Sequence, residues 1–393
     1  MKKRKKKFET DAVRTQIERS QYLEHSSPVY LTSSFVFEDA EDMRASFAEE
    51  KDRNIYSRYA NPNSTEFIEK VCRMEGAEAG FAFASGMAAV FSTFASLLNS
   101  GDHILAARNI FGSTHSLFTQ FFPKWQITHS YFRIDDLEGI EEMITPKTRI
   151  LYAESPTNPG VDLVDLEQLG RIAKKHDLIF IVDNCFATPY LQQPIRFGAD
   201  LVIHSGTKLM DGQGRVLAGI TVGRADLVDR IYRFSRITGP TLSPFNAWIL
   251  SKSLETLALR VDRHCSNALE VARYLEGHEK INWVKYPFLP SHPQYDLARK
   301  QMKAGGCVVA FEVKGGLEAG RAFFDGIELL SLSANLGDSR SIVTHPASTT
   351  HSKLTDEERL ESGITPGMVR ISVGLEHVED IVADIAQSLE RIS

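Results

Sequence analysis

Cysteine is scarce in this chain: four residues in 393. Cys72, Cys185, Cys265 and Cys307 are too widely spaced to form a disulfide framework or the paired spacing of a structural zinc site. They read as reduced thiols, which points to a cytoplasmic protein. Long apolar runs are also missing, so no segment is expected to cross a membrane. No apolar stretch follows the basic start "MKKRKKK", so it is not read as a secretory signal but as a solvated tail. Positive charge is otherwise in the minority. A formal net charge of −6 argues against a nucleic-acid partner. There are no internal repeats and no low-complexity linker. No GxSxG elbow exists, which leaves a serine hydrolase without support. His345 and His351 have no cysteine or third histidine in register and read as loop anchors rather than metal ligands. "DGQGR" is too short for a dinucleotide fingerprint and does not open a helix after a strand.

What is present is ordinary globular material, 42% hydrophobic and 24% charged, in a chain too long for one small core. From about residue 79 short apolar runs alternate with helix-like stretches. "TRILYAESP" is followed by "DLEQLGRIAKKH", where Leu166, Leu169, Ile172 and Ala173 share a helical face and Asp165 with Gln168 resembles a capping box. "LIFIVDN" then supplies five apolar residues without alternation, as a central parallel strand covered on both faces requires. The pattern predicts an α/β domain with a mostly parallel sheet over residues 61–255. A smaller α+β domain follows over 256–393, after one long helical stretch from Ser243 to about Gly277. Residues 1–60 show little regular pattern and read as an extended arm.

In parallel sheets ligands sit at the carboxyl ends of the strands. Two such ends carry unusual chemistry in "FIVDNCFATPYLQQPIRFGADLVIHSGTKLMDGQG". One apolar run ends in Asp183 and the next leads into Ser205-Gly206-Thr207-Lys208. Neither an acid nor a lysine is cheap to bury without a partner. A lysine in a low-dielectric pocket loses its proton more readily and can attack a carbonyl. A carboxylate nearby suits a protonated ring nitrogen, and small hydroxyl residues and glycines suit a phosphate. Pyridoxal 5′-phosphate asks for all three. "SGMAA" offers a second phosphate contact, with Ser85 and Gly86 opening a helix whose free amides attract anions.

The segments "YSRYANPN", "ASGMAA", "ESPTNP", "VDNCFATP", "HSGTK", "HPASTTH" and "VRISVGLE" occur in the order seen in the cysteine/methionine-metabolism family of pyridoxal-phosphate enzymes. The chain resembles that family from about residue 10 to its end. The resemblance implies the aspartate-aminotransferase-like fold (fold type I), with a large parallel-sheet domain and a smaller C-terminal α+β domain. It implies that Lys208 is the Schiff-base lysine and proton carrier, and that Asp183 pairs with the ring nitrogen. Gly86, Met87, Ser205 and Thr207 are implied to hold the phosphate. Tyr56 and Arg58 resemble the pair that reaches a neighbouring subunit's phosphate, which implies a homo-oligomer with shared sites, a dimer of dimers. Arg370 resembles the fork for the substrate α-carboxylate, and Asn158 the asparagine near the cofactor's phenolic oxygen.

Three departures bear on the reaction. Phe111 stands where many members have a tyrosine over the cofactor ring; it can stack but cannot exchange a proton. Asn335 replaces the serine usual in the lyases, and Arg340 stands where cystathionine-forming members tend to have an acid. "TKLMDGQGR" is similar to the form in O-succinylhomoserine sulfhydrylases. The implied activity is γ-replacement: sulfide and an O-acyl-L-homoserine, preferably O-succinyl, giving L-homocysteine. O-acetylhomoserine sulfhydrylase, cystathionine γ-synthase and a γ- or β-lyase are the alternatives. A non-enzymatic descendant fits poorly with an intact Lys208, Asp183 and Arg370.

Overall fold

The computed structural model describes residues 6–349 and 363–392, with Thr355, Glu357 and Arg359 between them. Most of the basic start and His351 therefore lie outside the described residues. Seven strands, β1 (Ala79–Phe83), β2 (His103–Ala107), β3 (Thr128–Phe132), β4 (Thr148–Glu154), β5 (Ile179–Asp183), β6 (Leu201–Ser205) and β7 (Gly219–Gly223), form one sheet in the order β1-β7-β6-β5-β4-β2-β3. The pairs β2/β3, β2/β4, β4/β5 and β5/β6 are parallel, and β7 runs against both β6 and β1. The uninterrupted apolar run of β5 sits between β4 and β6, where both of its faces are covered. The carboxyl ends of β4, β5 and β6 consequently open on one edge, and that edge carries Glu154, Asp183 and Ser205.

Local signals set the helices that frame this edge. The Ser85 side chain accepts from the Ala88 amide at 3.1 Å and caps helix Gly86–Leu97. Asp165 accepts from the Gln168 amide at 2.9 Å and caps helix Leu166–Lys175, whose Leu166, Leu169, Ile172 and Ala173 are buried. Phe94, on the inner face of helix Gly86–Leu97, packs edge-on against Phe118 at 5.0 Å and Tyr152 of β4 at 5.2 Å. A fully buried aromatic ring contributes roughly 1.5–3 kcal/mol. This cluster fixes the helix against the sheet and hence the position of its first residue, Gly86.

A second sheet, β8 (Ile281–Lys285), β9 (Val308–Val313), β10 (Ser331–Leu332), β11 (Ile342–Thr344) and β12 (Met368–Ser372), has the order β10-β11-β12-β9-β8. The terminal helix Val378–Glu390 lays Ile381, Ile385 and Leu389 on it, one turn apart. The single helix expected from Ser243 is two, Pro244–Leu254 and Leu257–Glu276, with the break at Glu255 and Thr256. The second helix runs through both cores. Leu257, Val261 and Cys265 face the first, while Ala268, Val271 and Leu275 face the second. Among the described residues no helix is long and apolar enough to cross a membrane.

The first 60 residues are more structured than their sequence suggests, with helices Phe8–Arg14 and Ala40–Phe47. Their anchor is a buried lysine on helix Pro62–Glu75. Lys70 donates to the carbonyls of Ala12 at 3.0 Å and Ser251 at 3.2 Å and to Glu255 at 3.3 Å, with Glu66 at 3.6 Å. Glu66 in turn takes the Ser27 hydroxyl and the Ile17 amide. Asn63 adds a second tether, accepting from the Tyr30 amide and donating to the Pro28 carbonyl, both at 2.8 Å. Removing Lys70 would strand a buried carboxylate and two carbonyls. Lys70→Met is expected to lower stability by on the order of 3 kcal/mol and to expose residues 10–30 to protease. Thermal unfolding with limited proteolysis checks both, and wild-type cleavage kinetics in the variant would contradict the anchoring role.

Candidate active site

Lys208 sits in the turn that follows β6. Its amide donates to the Ser205 carbonyl at 3.2 Å, and the Gly212 amide returns to its own carbonyl at 2.8 Å. The turn is gripped from outside by Arg260 of helix Leu257–Glu276. That buried guanidinium donates to the carbonyls of Leu209 at 2.7 Å, Met210 at 3.4 Å and Ser253 at 2.9 Å. Burial brings its pKa down to about 10. Sequence reasoning missed Arg260, because an arginine on a helix reads as a solvated face unless its tertiary partners are known.

Beside the turn lies a cradle of anion-binding character. A Cβ placed on Gly86 would lie 2.9 Å from the Ser205 Cβ and 3.0 Å from its hydroxyl, so only glycine lets the helix start come this close to β6. The capped amino end of helix Gly86–Leu97, the Ser205 hydroxyl and the adjoining Thr207 therefore stand together. The Thr207 hydroxyl accepts from the Ala218 amide at 3.0 Å. Met87, the next helical residue, receives the Thr114 hydroxyl at 3.9 Å on its sulfur. Free helix amides, a hydroxyl and the positive end of the helix dipole suit a phosphate.

Across the cleft, the second sheet contributes Arg370 on β12 and Asn335 on the loop between β10 and β11. The Lys208 amine donates to the side-chain carbonyl of Asn335. Burial lowers its pKa, with Arg370 pushing the same way and Cys185 opposing. Arg370 on β12 is 4% exposed. It donates to the Asn158 side chain at 2.8 Å, the Asn335 carbonyl at 2.9 Å and the Thr344 hydroxyl at 3.2 Å, while its Nε has no hydrogen-bond partner among the described residues. Desolvation brings its pKa down to about 10. A buried guanidinium with a donor to spare fits a carboxylate ligand. Lys208, Asn335, Arg370 and Asn158 are thus one connected group.

Four expected site residues stand outside that connected group, and His345 takes the loop-anchor role expected of it. The Phe111 ring is 42% exposed, and its amide is held by Glu154 at 2.7 Å. Arg340 forks onto Asp338 at 2.8 and 3.0 Å and donates to the Gln213 carbonyl at 2.9 Å, with most of its side chain in solvent. Among the described residues Tyr56 and Arg58 make no hydrogen bond to the lysine turn or the phosphate cradle of their own chain. Arg58 bonds the Arg236 carbonyl and lies 5.4 Å from the Tyr56 ring centroid and 4.9 Å from that of Tyr59. His345 is bonded on both ring nitrogens, to Ser348 at 2.7 Å and the Pro366 carbonyl at 2.8 Å, and so anchors its loop.

Asp183 forms the floor. Its carboxyl accepts the Cys185 amide at 3.0 Å, and burial outweighs that bond and the charge of His204 to push its pKa up to about 6. The folded protein then holds this proton to higher pH than the unfolded chain does. Stability is therefore present below the unfolded value near 4 and is lost as pH rises through about 6. A carboxylate that is costly when alone suits a ligand with a protonated ring nitrogen. Without cofactor, Asp183→Asn is expected to melt higher than wild type at neutral pH, while binding pyridoxal phosphate more weakly. Thermal unfolding of both cofactor-free proteins decides it, and an equal or lower melting temperature in the variant would refute the cost assigned to Asp183.

The residues fit pyridoxal phosphate: an amine of lowered basicity, a carboxyl floor and a helix-end phosphate cradle. Comparisons with known proteins agree. The family model described as Cys/Met metabolism PLP-dependent enzyme matches residues 9–390. An O-succinylhomoserine sulfhydrylase from Pseudomonas aeruginosa is 45% identical over 385 residues, covering 98% of this chain and 96% of that one. An L-methionine gamma-lyase from Fusobacterium nucleatum is 41% identical over 396 residues, covering 100% of both. A Campylobacter jejuni structure assigned as O-acetylhomoserine (thiol)-lyase, holding a pyridoxyl-lysine phosphate, superposes with TM-score 0.93 at 36% identity, covering 98% of this chain and 99% of that one. MetB from Corynebacterium glutamicum gives 0.92 at 32%, covering 99% of each. The chain belongs to the Cys/Met metabolism family of pyridoxal-phosphate-dependent enzymes.

Proposed function

We propose that the chain catalyses γ-replacement, converting an O-acyl-L-homoserine, O-succinyl in preference, and sulfide to L-homocysteine. Bound pyridoxal phosphate supplies the aldehyde that links to Lys208 and the electron sink that acidifies the substrate's α-carbon. The chain's own residues do the rest. Arg370 takes the α-carboxylate, using the donor it has to spare. The Lys208 amine removes the α-proton and carries it onward, and its lowered basicity keeps part of it neutral near working pH. Asn335 holds that amine between transfers. Phe111 has no group that could trade a proton, which leaves the lysine as the main proton carrier.

The observation that carries the choice of substrate is the rim. Arg340 presents a guanidinium to solvent at a position beside the lysine turn. It favours the distal carboxylate of a succinyl ester and hydrosulfide over the ammonium of cysteine. Asp338 neutralises part of that charge, so the bias to expect is a few-fold. A γ-lyase is the second reading, supported by the 41% identity to a methionine gamma-lyase. The test supplies succinyl, acetyl and phospho esters of homoserine, each with sulfide and with cysteine, and methionine alone. Homocysteine from the succinyl ester and sulfide is expected to form fastest. Arg340→Glu should narrow the preference for sulfide and raise KM for the succinyl ester several-fold. Faster release of keto acid and ammonia from methionine would favour the lyase, and unchanged preferences in the variant would remove Arg340 as the discriminator.

We propose further that sites are shared between two copies in a dimer of dimers, with Tyr56 and Arg58 completing the neighbour's phosphate cradle. Support comes from the partners they take instead, the Arg236 carbonyl and the Tyr59 ring, and from the tethering of their arm by Lys70 and Asn63. A cytoplasmic location is proposed on the four free thiols. Lys208→Ala alone should lose turnover, and Arg58→Ala most of it. After subunit exchange a mixture of the two should recover activity, because hybrid dimers regain one intact site. No recovery once exchange has been demonstrated by mass would argue against sharing.

A further inference from the structure

Glu154 lies at the carboxyl end of β4, directly beside Asp183 of β5 in the parallel register. Side chains paired in register on adjacent parallel strands emerge on the same face, so both carboxyls belong to one floor. Glu154 is 4% exposed. Its Oε2 accepts the Phe111 amide at 2.7 Å, and the amides of Phe111 and Asn158 both favour its ionised form. Phe111 holds an exposed ring on the loop after β2, and Asn158 receives Arg370. Two loops thus meet at a single carboxyl, those after β2 and β4. Nothing in the mechanism above uses it, and an isolated glutamate at a strand end would be expected in water.

We propose that Glu154 is a positioning residue that ties the Phe111 and Asn158 loops to the floor bearing Asp183, and that it does so as an uncharged acid. Two adjacent carboxylates cannot both ionise cheaply in a desolvated floor. Asp183 has a ring nitrogen to meet, whereas Glu154 has only amide dipoles. Burial, then the charge of Asp183, raises the Glu154 pKa well above the ordinary carboxylate range, against the pull of the two amides. The other titratable groups facing it are Tyr152 on its own strand and Cys185 after β5, both held in their neutral forms by burial. Lys208 lies beyond Cys185 and acts on that thiol. A neutral Glu154 still accepts from Phe111, so the loop is held without adding a second negative charge under the cofactor. The inference rests on the cofactor site alone and not on the choice of acyl donor.

The test measures pyridoxal phosphate affinity for cofactor-free protein, its dependence on pH, and the visible circular dichroism of the bound cofactor. The comparison is between wild type, Glu154→Gln and Glu154→Ala. Glutamine keeps the acceptor and has no charge. It is expected to hold affinity within about threefold, with an unchanged dichroic band and the same pH midpoint. Alanine releases both loops and should weaken binding about tenfold or more and reshape the band. A glutamine variant as damaged as alanine, or a midpoint moved by about a full unit, would show that the charge is needed and overturn the neutral assignment. Wild-type affinity and dichroism in the alanine variant would overturn the positioning role. If the alanine protein does not fold, the glutamine variant still decides between neutral and charged.

Discussion

Everything at this site depends on a carboxyl that the fold places where it is costly. β5 is buried on both faces because the parallel strands β4 and β6 flank it, and its last residue is Asp183. In water an aspartate would be ionised; here burial holds its proton to about pH 6. The fold tolerates this because a cationic ring nitrogen can meet the carboxyl and recover the electrostatic energy that burial removed. Cofactor binding and folding are therefore linked. The same placement that weakens the cofactor-free protein strengthens the loaded one.

The rest of the site follows the same logic of costly groups arranged to be completed. Arg370 is nearly fully buried, bonds Asn158, Ala334, Asn335 and Thr344 inside the protein and leaves Nε without a partner among the described residues. Lys208 is held by a neutral amide oxygen rather than a carboxylate. A carboxylate there would raise the amine's pKa and cost it the neutral form that proton abstraction requires. Arg260 grips the lysine turn through backbone carbonyls only, so it fixes geometry without placing a counter-ion next to the amine. Rigidity and low basicity are supplied by different residues.

What could be read from the sequence was what is local. The lysine turn, the acid at a strand end, the Ser85 and Asp165 caps and the buried run of β5 each declare themselves within ten residues, and the structure places them as expected. What could not be read was the work done by charged residues that ordinarily face water. Glu154, Arg260 and Lys70 look like surface residues until their partners, 43, 51 and 58 positions away, are known. The same holds for His204, which meets Glu75 at 2.7 Å, and for Asn184, which meets it at 3.0 Å. Each lies one residue out of phase with the site residues Ser205 and Asp183 and turns away from the cleft. The helix break at Glu255 and Thr256 was missed because the residues on both sides are good helix formers; Glu255 is needed by Lys70.

Relatives of 45% and 41% identity are named for different activities. The floor must satisfy the cofactor whichever reaction follows, and its carboxyls are held by loop amides. The choice between adding a thiol and releasing a keto acid is made after the cofactor has done its common part. A tenfold change in either branch needs only about 1.4 kcal/mol of transition-state free energy. A difference of that size lies within reach of a single hydrogen bond or a partly screened charge. Groups of this kind sit at the mouth: Asn335 on the amine, the open Phe111 ring, and Arg340 leaning on Asp338. Such positions can change without disturbing Asp183 or Arg370. On the reading proposed above, differences at these few positions would be enough to separate one reaction from the other.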